Sequence, residues 1–85
     1  MVSAICAAPS VLGEAGLLKE KNATSYPGFE EKLVGAFVSK ESVVVDGNII
    51  TSRGMGTAIP FALAIVEYLL DKETADKLGE SIIYV

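Results

Sequence analysis

Cys6 is the only thiol of the chain, and no histidine is present to activate it. It sits in "VSAICAAPSVL", an apolar run followed by small residues and a proline. Two readings fit. Free cysteine is often a small buried hydrophobe. A thiol on a strand-to-helix turn is instead a nucleophile elbow, where small neighbours let the side chain project from a tight bend. Ala4, Ala7 and Ala8 are that small. A helix beginning after the turn favours thiolate through its positive end. The Ala7 N–H would then be placed to donate to a developing oxyanion.

Two other stretches carry functional groups. Tyr26 precedes Pro27 in "TSYPG". Its phenol can donate a hydrogen bond or line a pocket but is a poor base at neutral pH; equally, it reads as a plain strand-end aromatic. The sole arginine, Arg53, opens "RGMG" with Gly54, Met55 and Gly56. Arg53 fits either steering of an anionic or carbonyl substrate or a surface ion pair. Met55 is open to oxidation, and the two glycines suit turn geometry. No GK[ST] follows them, which excludes a phosphate loop. Glu14, the nearest carboxylate after Cys6, reads as a solvated helix residue.

The elements that must position these groups follow from spacing. Residues 2–5 read as a buried strand. Apolar positions 8, 11, 12, 15 and 18 predict a helix over 8–18 with Pro9 in its first turn and Gly16 as a possible end. Residues 23–26 read as a short strand stopped by Pro27 and Gly28, and 29–35 as one or two helical turns stopped by Gly35. Two β-branched runs around Asp46-Gly47 predict a hairpin over 42–52. Thr57 is positioned to cap a helix over 58–70 that carries Pro60 in its first turn. A second short helix covers 73–81, and 82–85 reads as a last strand or extended tail. Strands alternating with helices imply a mostly parallel sheet with helices on its faces.

With 85 residues the chain is one small domain, 51% hydrophobic and 21% charged, with net charge −4. That composition is globular, with no disordered character. Lysines are scattered, so nucleic-acid binding is not expected. No HxxxH or CxxC spacing exists, so neither a metal site nor a cofactor is expected. "AIPFALAIV" is interrupted by Pro60 and followed by Glu67, and it falls short of a membrane span. No signal-peptide pattern is visible, and one free thiol suits a reducing cytoplasm.

Taken together, "AICAAPSVLGEAGLLK", "ATSYPGFEEKL", "VVVDGNIITSRGMGTA" and "FALAIVEYLL" resemble the second half of proteins in the ThiJ/PfpI superfamily, in the branch of the parkinsonism-associated deglycase. The motifs occur in family order with similar gaps across nearly the whole chain. The resemblance implies a flavodoxin-like three-layer α/β sandwich, of which residues 1–85 would be a partial, C-terminal half containing the hairpin. It implies a reactive Cys6 with Ala7 as oxyanion donor, and a substrate surface from Tyr26, Pro27, Arg53, Gly54 and Met55. Implied activities are glyoxalase-like or deglycase-like action on a small aldehyde or a glycated protein; alternatives are a redox-responsive chaperone or sensor, or a silent module. Implied partners are a second copy in a homodimer or a separate N-terminal chain.

The chain departs from that family in ways that bear on function. Relatives carry roughly a hundred residues more, a usual domain's worth, including a glutamate that hydrogen-bonds the cysteine. Many have histidine where Tyr26 stands, usually proline where Met55 stands, and often a polar residue in place of Pro60.

Overall fold

The computed structural model describes residues 1–84. Its centre is a three-stranded sheet in the order β1-β5-β4. Strand β1 is Val2–Ile5, β4 is Val43–Asp46 and β5 is Ile49–Ser52. β1 runs parallel to β5, pairing Val2 with Ile49 and Ile5 with Ser52. β4 and β5 form the expected antiparallel hairpin, with Val44 opposite Thr51. The turn is displaced by one residue from Asp46-Gly47: Asp46 still pairs with Ile49, so Gly47-Asn48 make the loop. Gly47 has φ 58° and Asn48 has no positive φ. Glycine with positive φ at the first loop position is the arrangement that matches strand twist.

Alternation along β5 assigns its faces. Ile49 and Thr51 point one way, Ile50 and Ser52 the other. On the first side lie helix α1, Pro9–Glu14, and a two-residue parallel pair formed by β2, Asn22–Ala23, with β3, Phe37–Val38. The Asp46 carboxylate accepts from the Asn22 backbone N–H at 2.7 Å and from its side-chain amide at 3.1 Å, and Thr24 N–H donates to Thr51 Oγ1 at 3.0 Å. Leu18, Ala23, Leu33 and Ile49 form the core here, with Leu12 and Ala36 packed against it. Gly13 makes this closeness possible. A methyl group there would overlap the Lys32 carbonyl oxygen and lie 2.7 Å from Leu33 Cα.

On the second side the Ser52 hydroxyl meets Thr57 at 2.7 Å, and helix α2, Ala58–Leu69, follows at once. Helix α3, Lys72–Ser81, packs back on α2. Asp71 caps α3 by accepting from Thr74 N–H at 2.6 Å. The helices and strands thus form three layers.

Several expectations need correction. The first helix stops at Glu14, four residues early, because Gly16 turns left-handed at φ 80°; Leu18 is buried from a turn. Residues 29–35 hold a single 3-10 turn, Glu30–Lys32. Residues 82–84 are not a strand: Tyr84 N–H returns to the Gly79 carbonyl at 2.8 Å and closes α3. Val85, the end of that expected strand, lies outside the described residues. No helix among the described residues is long and apolar enough to cross a membrane.

Candidate functional site

Cys6 stands directly after β1, on the turn into α1. Its N–H still belongs to the sheet, donating to the Ser52 carbonyl at 3.1 Å. Its φ is 67°, a left-handed conformation that a residue with a Cβ adopts at a cost of about 1–2 kcal/mol. The bend closes when Ala8 N–H donates to the Ile5 carbonyl at 3.1 Å. Ser10 fixes the next peptide by donating its hydroxyl to the Ala7 carbonyl at 2.6 Å. Among the described residues the Ala7 N–H meets no acceptor. Cys6 itself is half-buried and unpaired.

The thiol faces a cleft of about 400 Å³ lined by Ile5, Cys6, Tyr26, Gly54, Met55 and Ala58. Four of the seven residues singled out from the sequence therefore meet in one place. Tyr26 arrives there because its N–H donates to the Cys6 carbonyl at 2.8 Å. Its ring packs over Gly54, where a Cβ would sit 3.5 Å from Tyr26 Cδ1, and edge-on to Phe29 at 6.4 Å between centroids. Met55 stands at the mouth, 93% exposed.

The other three do not line the cleft. Ala7 follows Cys6 on the turn into α1. Pro27 follows Tyr26 on the outer surface. Arg53 turns away: its Nε donates to the Ser25 carbonyl at 3.0 Å, and Nη2 lies 3.8 Å from Glu30 Oε2. Of its two sequence readings, this geometry is that of the ion-pair partner.

The loop between β5 and α2 is held by Thr57. Its hydroxyl accepts from Arg53 N–H at 3.2 Å and Gly54 N–H at 3.1 Å, and lies within 3.0 Å of the Gly54 carbonyl and 2.7 Å of Ser52 Oγ. One hydroxyl has one proton to give and two lone pairs. Ser52 spends its own proton on the Ser42 carbonyl at 2.5 Å, leaving Thr57 to donate to Ser52 or Gly54. Thr57 thus occupies the cap position of α2 but turns its hydroxyl back on the loop, making no cap bond to the helix. Gly54 adopts φ 177°, extended backbone open to any residue, so its turn role is not required by conformation. Ile5 and Ala58 were not singled out in the sequence, and Thr57 only as a helix cap. The Thr57 spacing three residues after Gly54 was the available signal.

Glu30 is held below its ordinary 4.5 by its own amide, by Gly28 N–H at 2.8 Å, and by the Arg53 guanidinium. No carboxylate among the described residues lines the cleft. Among the described residues no three His, Cys, Asp or Glu side chains gather as a metal site. A larger groove of about 530 Å³ between α2 and α3 combines Leu63, Ala64 and Ala75 with Glu67, Asp76 and Glu80. It holds no cysteine; the chain's one thiol residue lines the smaller cleft.

Residues 1–68 match the family model described as DJ-1/PfpI family. The chain is 45% identical over 85 residues to Protein dj-1beta of Drosophila melanogaster, covering 98% of this chain and 46% of that protein. It is 37% identical over 79 residues to the glutathione-independent glyoxalase DJR-1.2 of Caenorhabditis elegans, covering 92% and 42%. The solved structure of oxidized Toxoplasma gondii DJ-1 superposes with TM-score 0.92 at 37% identity, over 100% of this chain and 47% of that one. The chain thus spans about half the length of the relatives it matches, within their flavodoxin-like α/β fold.

Proposed function

The chain belongs to the DJ-1/PfpI family, and we propose that it supplies the cysteine side of a site acting on reactive aldehydes or glycation adducts. The observation that carries this reading is Cys6, held left-handed at the end of β1, facing an apolar cleft beside the unpaired Ala7 N–H. The C. elegans relative's description as a glutathione-independent glyoxalase supports the substrate class.

With methylglyoxal, the Cys6 thiolate adds to the aldehyde carbon. A C–S bond forms, and the carbonyl electron pair moves to oxygen, where the Ala7 N–H donates to the developing charge. Protonation gives a hemithioacetal. Removal of the proton on the former aldehyde carbon and protonation of the ketone oxygen give an enediol. Protonation of the neighbouring carbon, with loss of the hydroxyl proton from the sulfur-bearing carbon, then yields a lactoyl thioester, and water releases lactate and the thiol. No oxidant or reductant is consumed. Tyr26, Gly54 and Met55 wall the substrate, with Pro27 bracing the Tyr26 turn. The carbon-to-carbon proton transfer needs a base, and it falls to a group outside the six cleft residues.

A second reading rests on the sheet. Among the described residues β1 is hydrogen-bonded along one edge only, and an open edge is a template for another strand. The chain would then complete a sheet with an N-terminal polypeptide or a second copy, and the missing base would come from that partner. A reducing cytoplasm keeps such a thiol free.

The test is methylglyoxal turnover. Lactate formation should be lost in Cys6→Ser, and methylglyoxal should slow alkylation of Cys6 in the folded chain but not in the unfolded one. Equal lactate from Cys6→Ser, or no slowing, overturns the aldehyde reading.

A further inference from the structure

Resting on that reading of the cleft, we infer that Arg53 and Glu30 are positioning residues that clasp the turn carrying Tyr26 and thereby set the size of substrate Cys6 admits. The Tyr26 side chain makes no hydrogen bond among the described residues; its ring stands where its backbone puts it. That backbone enters the turn at Ser25 and leaves it at Gly28, which has φ 99°. Arg53 holds the entry through Nε to the Ser25 carbonyl at 3.0 Å. Glu30 holds the exit, with Oε1 accepting from Gly28 N–H at 2.8 Å. The two ends are joined by the Arg53–Glu30 pair at 3.8 Å. Nη1 reaches the Lys40 carbonyl at 3.5 Å as well, so one guanidinium links three segments.

A partly exposed ion pair contributes little stability by itself. Its value here is geometric. The planar fork of arginine can face a carbonyl and a carboxylate together, and a lysine ammonium cannot reproduce that. Arg53 is also the residue whose N–H is tied by Thr57, so the clasp runs directly from the Gly54–Met55 wall of the cleft to the Tyr26 wall. Loosening it lets the ring swing from Gly54 and widens the cleft at the sulfur. Neither residue touches the reacting atoms.

The test compares alkylation of Cys6 by a small reagent, iodoacetamide, and a bulky one, N-phenylmaleimide, on the folded chain. The bulky-to-small rate ratio should rise about tenfold in Arg53→Gln, the loss expected for a charge-assisted bond. It should rise nearly as much in Arg53→Lys and about twofold in Glu30→Gln, which keeps an acceptor for Gly28 N–H but loses the pair. Tyr26→Ala gives the fully open limit. An unchanged ratio in folded Arg53→Lys overturns the clasp. So does an equal rise in both rates, which reports general opening. If the arginine variants do not fold, Glu30→Gln decides: a raised ratio supports the clasp and a wild-type ratio overturns it. The iodoacetamide rate of the wild type judges the nucleophile reading separately, because the ratio is independent of it.

Discussion

The sheet is buried on both faces at β5, Ile49 on one and Ile50 on the other, but the elements laid on the two faces bury their own apolar side chains to different depths. Against one face, Leu18, Ala23 and Leu33 close around Ile49, each nearly inaccessible. Against the other lies α2, the most continuous apolar segment of the chain, and none of its twelve residues is buried. Ile59, Leu69 and Leu70 remain 47%, 62% and 68% exposed. Hydrophobicity states what a residue can bury; a facing partner decides whether it does. The first face has one, because Gly13 lets α1 meet the Glu30–Lys32 turn backbone to backbone. The second has α3 across α2, and the outer side chains of α2 stay exposed.

The sharpest way to break this comparison is Gly13→Ala. The overlapped atoms are backbone and cannot rotate aside, so the loss should reach about 3 kcal/mol or more, a large part of the stability of so small a domain. Urea unfolding measures it. Next, Leu18→Ala should lose about 2–5 kcal/mol, whereas Leu70→Ala should lose less than about 0.5 kcal/mol. Equal losses would erase the distinction between the faces.

Acid separates the faces further. Asp46 ties β2 to the sheet, and its carboxyl is held below its ordinary 3.8, first by the Asn22 backbone N–H and then by the Asn22 side chain. A depressed carboxylate stabilises fully above its unfolded value and loses that contribution as pH falls through its lower folded value. Thermal unfolding followed from about pH 6 downward should therefore show a steeper acid limb for wild type than for Asp46→Asn. Identical limbs would remove Asp46 from the packed face. The smallest effect belongs to the elbow. Cys6→Gly relieves left-handed strain of about 1–2 kcal/mol and adds unfolded-chain freedom of about 0.5–1 kcal/mol. The net gain should be about 0.5 kcal/mol in chemical denaturation, with the thiol chemistry gone.

Long or strongly punctuated elements were legible in the sequence. β1, the hairpin strands, α2 and α3 occupy the expected spans, although β1 is exposed at Val2 and Ser3 where a buried strand was expected and the turn is shifted by one residue; the small residues around Cys6 marked its turn. Elements made by tertiary contact were not. β2 covers Asn22–Ala23, short of the expected 23–26, because Thr24 N–H takes a side-chain oxygen and Tyr26 N–H takes the Cys6 carbonyl. β3 is two residues long and exists only as its partner. In the site, Tyr26, Gly54 and Met55 were reachable from motif likeness. The direction of Arg53 was not, since it depends on where Ser25 and Glu30 come to rest.

The parallel pairing of β1 with β5 also has a consequence in time. Cys6 N–H is satisfied by Ser52, nearly the whole length of the sheet-forming chain away, whereas the hairpin and the α2–α3 pair close over short distances. Contacts that join distant segments form slowly. On refolding, the hairpin and helical pair should therefore appear before the bend that holds the thiol. During synthesis, Cys6 precedes Ser52, so its turn stays open until that later segment is made. The thiol therefore acquires its setting only once β5 has joined β1.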